Sequence, residues 1–196
     1  MRKNFIILFF LFLLNSCVGS STTGVFGTGV SVALDPRTLG TQIDDSIMQK
    51  NLQTRLVLTE KKYLIKVSDK VLDGRIFLGG KVDEPEEKLI ITKLAWETKG
   101  VRSVKNNIAI KEKFSFINAA KDVLITSQLR AAMIINKNIK AANFNIDTIN
   151  QKTYVFGIAH NDNEKKEIIQ EAKQIVDLKE LITSILMGSD LSRQRE

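Results

Sequence analysis

Cys17 is the one thiol in this chain of 196 residues. A lone thiol can be acylated or alkylated, but it cannot close a disulfide within the chain or build a cysteine-based metal site. His160 is also single, and one imidazole makes neither a metal centre nor a catalytic triad. Set among Asn161, Asp162 and Asn163, it reads as a solvated turn residue. The carboxylates Asp83, Glu84, Glu86 and Glu87 stand where a helix begins, so their charge complements the helix dipole. General acid–base chemistry would need two of them facing one cleft with separated pKa values. Gly74, Gly80 and Gly157 lack the Lys-Ser/Thr that follows a phosphate-binding loop, and hairpin geometry accounts for them. None of these residues calls for a metal or cofactor, and the chain reads as non-enzymatic.

The elements around Cys17 give it a meaning. Arg2 and Lys3 precede an apolar run from Phe5 to Leu14, and the small residue Ser16 follows, which is the pattern of an export signal. A membrane-spanning helix needs roughly 20 apolar residues, more than this run supplies. Leu14-Asn15-Ser16-Cys17 resembles the bacterial lipobox. That resemblance implies a signal peptide over residues 1–16, its removal, and lipidation of Cys17 with acyl chains such as palmitate. Val18 follows in place of an acidic residue, which by the sorting tendency of enteric bacteria implies the outer membrane. Residues 17–44 are expected to be the lipidated N-terminus and a flexible spacer, rich in Gly, Ser and Thr over 18–34 and turning at Asp35-Pro36-Arg37.

Beyond the spacer, Asp44-Asp45-Ser46 offers N-cap chemistry for a helix over residues 45–60, with Met48, Leu52 and Leu56 on its core face. Tyr63–Val67 and Arg75–Val82 read as strands about a turn at Asp73-Gly74. A helix over Glu84–Lys99, with Pro85 in its first turn and Gly100 past its end, leads to a third strand over Val101–Ile110. A shift of 77 residues repeats the pattern: Asp45, Met48, Leu52 and Leu56 fall on Asp122, Ile125, Leu129 and Met133, and Gly80 falls on Gly157. The chain is therefore expected to carry two copies of one α-β-β-α-β unit, over residues 45–112 and 117–187, with a polar tail over 188–196. The repeat is expected to slip only at the first hairpin, with a loop at Asn150-Gln151 two residues shorter than its counterpart.

Gly74-x-Ile76-x-Leu78-x-Gly80-x-Val82, then Ala95 and Gly100-Val101-x-x-Val104-x-Asn106-x-Ile108, resembles the BON domain (bacterial OsmY and nodulation). Two such units behind a lipobox, with Asp35-Pro36-Arg37-Thr38-Leu39-Gly40-Thr41-Gln42-Ile43-Asp44-Asp45 leading into the first, resemble the dual-BON outer-membrane lipoproteins of the DolP/YraP type. The resemblance implies an α+β class, each domain a small three-stranded mixed sheet with two helices packed on it. It also implies a lipid-anchored protein facing the periplasm that supports outer-membrane integrity, binding phospholipid or an envelope protein. In such lipoproteins lipid contact is associated with the first helix of the second domain, at a Trp-Ile-Thr; here the matching residues are Leu124-Ile125-Thr126.

That helix, expected over Asn118–Asn136, carries Val123, Leu124 and Ile135 away from its core line of Ile125, Leu129 and Met133, with Lys121, Arg130 and Lys137 on the same helix. Lys121, Val123, Leu124 and Arg130 are the candidate phospholipid-contacting residues, combining apolar insertion with attraction to anionic headgroups. The other reading packs Val123 and Leu124 against the first domain, and exposure separates the two. Trp96, replaced by Lys173 in the second copy, is expected to cap its sheet or enter the interdomain contact. Without residues 1–16 the chain has 27 basic and 22 acidic side chains, a mild +5. It has no run of four basic residues, and with only two Tyr and one Trp it shows little sign of a stacking platform, so nucleic acid is not an expected partner.

Overall fold

The computed structural model describes residues 34–111 and 115–191. Cys17, the expected signal peptide and the spacer over 18–33 lie outside the described residues. The first copy runs α1 (Leu39–Thr59), α2 (Tyr63–Lys66), β1 (Val67–Leu72), β2 (Arg75–Val82), α3 (Pro85–Trp96), β3 (Ser103–Asn106) and β4 (Ala109–Ile110). The second runs α4 (Phe116–Ile135), a 3-10 turn at Ala141–Asn143, β5 (Phe144–Ile149), β6 (Lys152–Ala159), α5 (Asp162–Lys173) and β7 (Glu180–Met187). In each, the first two strands pair antiparallel as a hairpin and the last pairs parallel to the second, so β2 and β6 are central. The parallel partner is broken into β3 and β4 in the first copy and continuous as β7 in the second. Both units are α+β, with helices on one face of a small mixed sheet.

Alternation along the strands sends one set of side chains to the helices and the other to the opposite face. Val71, Ile76 and Leu78 join Met48, Leu52, Leu56, Ile91 and Ala95 in the first core. Ile146 and Val155 join Leu129, Met133, Ile168 and Ala172 in the second. The faces turned away from the helices meet each other. There Leu72, Phe77, Phe156, Ile158 and Leu191 form a third apolar cluster, and the rings of Phe77 and Phe156 stack at 5.5 Å with 2° between their planes. Ser68 Oγ donates to Asp147 Oδ2 across this boundary, and a side chain at Gly79 would collide with both groups.

Several local expectations change. The 77-residue offset holds through the hairpins: Asp73-Gly74 and Asn150-Gln151 are equivalent two-residue turns, all four residues at positive φ, so no loop is shortened. Tyr63–Lys66 is a helical turn rather than a strand, and β1 starts at Val67, because Tyr63 is drawn into the core at 1% exposure. The first helix begins at Leu39, ahead of residue 45, with Thr38 rather than Asp44-Asp45-Ser46 as its cap. Asp45 is instead buried inside the helix, where it meets the hairpin. The second helix stops at Trp96, and the third strand of the first copy is interrupted at Asn107-Ile108, where the Asn106 side chain accepts the Ile108 N–H. Leu191, expected in a polar tail, is 4% exposed within the interdomain cluster.

Candidate functional site

Ser115 caps α4 by accepting the Asn118 N–H, and at the far end the Asn136 amide donates to Glu167 and Glu171 of α5. One side of the helix enters the core through Asp122, Ile125, Leu129 and Met133. The position of Asp122 is set by the hairpin: its carboxylate accepts the N–H groups of Asn150 (2.9 Å) and Gln151 (2.7 Å). Asp45 does the same for Asp73 (2.6 Å) and Gly74 (2.8 Å) in the first domain. A turn with positive φ at both central residues aims these two donors at one point, and a carboxylate one helix away satisfies both.

With the core side fixed in this way, the opposite side of α4 faces solvent. It presents Phe116, Ile117, Val123, Leu124, Ile134 and Ile135, all exposed, with Val123 at 65% and Leu124 at 58%. Val123 and Leu124 therefore do not pack against the first domain. At 100° per residue, Ala120, Ser127 and Ala131 fall among them, so the outward stripe carries no charge along its length. A helix in water ordinarily keeps this face polar. Arg130 lies exposed at one flank of the stripe and Gln128 at the other, while Lys137 follows the helix end. The Lys121 ammonium is 2.9 Å from Asp177 Oδ1, which leaves it less charge for an external anion than the sequence suggests.

Phe116, Ile117 and Ile134 extend this face beyond the residues that the sequence singles out. The 3.6-residue period already placed Phe116, Val123 and Ile134 on one line, but the start of the helix at Phe116 was needed to extend it. Trp96 is 53% exposed, so it neither caps the sheet nor enters the interdomain contact. His160 is at the turn before α5, with Nδ1 3.3 Å from Glu164 Oε2. Glu87 accepts the Asp83 and Glu84 N–H groups at the start of α3, and its counterpart Glu164 accepts those of His160 and Lys140. Lys62, hydrogen-bonded to Glu87, holds the Glu87 carboxyl below its usual range, with the backbone N–H groups acting in the same sense. These carboxylates organise helix starts. Gly80 and Gly157 sit against the carbonyls of Lys66 and Asn143, where a Cβ has no room.

The sequence matches the BON domain over residues 44–112 and again over 121–186. The chain belongs to the BON-domain family. The outer membrane lipoprotein DolP of Haemophilus influenzae is 30% identical over 161 residues, covering 80% of this chain and 81% of that one. An uncharacterized protein from the gshII 5' region of Anaplasma centrale is 32% identical over 129 residues, 65% of this chain and 85% of its own length. The 21 kDa hemolysin of Actinobacillus pleuropneumoniae is 24% identical over 125 residues, 63% of this chain and 64% of its own. This dual-BON chain is thus an outer-membrane envelope lipoprotein of the DolP type. Among the described residues no helix is long and apolar enough to cross a membrane.

Proposed function

We propose that this protein is held to the outer membrane by lipid on Cys17, faces the periplasm, and supports the integrity of that membrane without catalysis. In this reading its second BON domain contacts anionic phospholipid through the outward face of α4. The observation that carries it is the uncharged stripe from Phe116 to Ile135, with Val123 and Leu124 at its middle and Arg130 at its edge. Apolar side chains there enter the acyl boundary while Arg130, and to a smaller extent Lys121, favours anionic headgroups. Leu in place of Trp suits insertion below the headgroups rather than residence among them.

Vesicle flotation tests the contact with the body lacking residues 1–17. Binding to phosphatidylglycerol vesicles is expected, and Leu124→Asp should weaken it at least about tenfold, because a buried leucine side chain contributes about 2 kcal/mol. Equal binding by parent and variant would end the helix-insertion reading. For the anchor, Cys17→Ser should abolish palmitate labelling in cells; a variant that still carries label and fractionates with the outer membrane refutes Cys17 as the attachment site.

A second reading is an adaptor that docks an envelope protein. It is favoured by Leu89 (73% exposed) and Trp96 (53% exposed), two turns apart on α3 of the first domain. Crosslinking from Trp96 that captures only lipid would count against it.

A further inference from the structure

A half-open groove of about 490 Å³ lies between the two BON domains. Lys66 and Lys81 approach it from the first domain, and Lys111 from the strand end that leads to the second. Ser115, Asn118 and Ala119 bring the first turn of α4 to its opposite side, so the positive end of a 20-residue helix faces the same space. Two carboxylates also line it, Asp83 and Asp122, and both are already engaged. Asp83 bonds Lys66 and, at 3.4 Å, Lys111. Asp122 accepts the Asn150 and Gln151 N–H groups. Lys81 reaches the Asn150 side-chain oxygen at 2.8 Å and Asp122 only at 3.6 Å.

Among the described residues, three ammonium groups therefore surround two carboxylates, one of which spends its oxygens on backbone. The lysine side chains retain 31%, 35% and 50% of their exposure for Lys66, Lys81 and Lys111; Lys66 is committed to Asp83, so Lys81 and Lys111, with their longer carboxylate contacts, are the more open to an external anion. Ile65 and Ala119 supply carbon surface beside them. We propose that this groove binds a phosphate-bearing amphiphile, its phosphate seated among Lys66, Lys81 and Lys111 and its carbon portion along Ile65 and Ala119. Lysine is suited to a tetrahedral anion, since its flexible point charge needs no planar partner. The phosphate can belong to a phospholipid headgroup or to a free phosphoester. The lipid form rests on the membrane reading above, because the groove opens at the N-terminal end of the exposed α4 stripe; the phosphate site itself does not.

The test is an amide chemical-shift titration of the full chain in neutral detergent micelles, with glycerol phosphate in one arm and micelle-embedded phosphatidylglycerol in the other. Saturable shifts are expected at Ser115, Asn118 and Asn150 in at least one arm, with affinity falling about tenfold or more in Lys66→Gln/Lys111→Gln and in Lys81→Gln. Saturation with glycerol phosphate assigns a free phosphoester, and saturation only with the lipid assigns the headgroup. Unchanged shifts at Leu129 and Ile168 report that each variant is folded. No saturable shift in either arm, or equal affinity in folded variants of both kinds, overturns the site. Failure of the membrane reading is seen separately: Leu124→Asp would then bind vesicles like the parent while the groove shifts persist.

Discussion

Asp122 accepts two amide protons from a turn 28 and 29 residues away while 8% exposed, and Asp45 repeats the arrangement at 2%. In the first domain Arg37 lies 2.6 Å from Asp45, held there by Asp35. Lys81, from the other domain, takes a looser version of that place beside Asp122. Removing Asp122 leaves two turn donors unsatisfied, that of Gln151 buried and that of Asn150 partly so, and a buried one costs about 1–3 kcal/mol. Asp122→Ala should therefore destabilise the protein by about 3 kcal/mol in urea unfolding, and a loss below about 0.5 kcal/mol would exclude the capping role. The spacing of Asp45 and Asp122 was legible in the repeat. Their role was not, because Asp45-Ser46 at a helix start looks like an N-cap, and nothing local to Asp45 or Asp122 points to a hairpin so far along the chain.

At the scale of elements, the hairpins show how backbone approach selects a residue. Gly80 has φ +104° and faces the Lys66 carbonyl, where β1 begins against the end of β2. Gly80→Ala should lose about 2 kcal/mol through strain and displacement of that carbonyl. Gly40, in α1 with open space around it, is the contrast, and Gly40→Ala should be neutral or stabilising by up to about 1 kcal/mol. Equal thermal shifts for the two variants would defeat this account. Helix periodicity located the buried faces of α1 and α4 correctly. At the short helix of Tyr63–Lys66, four residues carry too little periodicity to separate helix from strand, and burial of the Tyr63 ring decides it. The outward face of α4 follows from the same physics: once Asp122, Ile125, Leu129 and Met133 are committed to the core, Val123 and Leu124 have nowhere to go but outward.

For the whole molecule, the decisive event is the meeting of two sheet faces that are free of helices. Burial there raises the Asp147 carboxyl above its ordinary value, with the Ser68 hydrogen bond and the field of Arg130 opposing the shift. The folded state thus binds the Asp147 proton more tightly than the unfolded chain does. Its contribution to stability is fully present below the unfolded pKa and is lost as pH rises through the folded value. Asp147→Asn should accordingly match or exceed the parent in stability at neutral pH, and the parent should regain ground as pH falls toward about 4. A parent-minus-variant difference that stays flat from neutral pH to about 4 would contradict this. Taking the difference isolates Asp147 from Asp69, which burial also raises, and from Asp83 and Glu87, whose lowered values act in the opposite sense. The sequence by itself determined the duplicated α-β-β-α-β plan, its offset and its helix faces, because each rests on local period and on turn residues that need positive φ. Only tertiary structure decided that Phe77 stacks on Phe156, that Leu191 is interior, that Trp96 is outside, and that three lysines share one groove. Those facts depend on which faces of the two domains meet, and sheet faces of similar polarity leave that choice to three-dimensional packing.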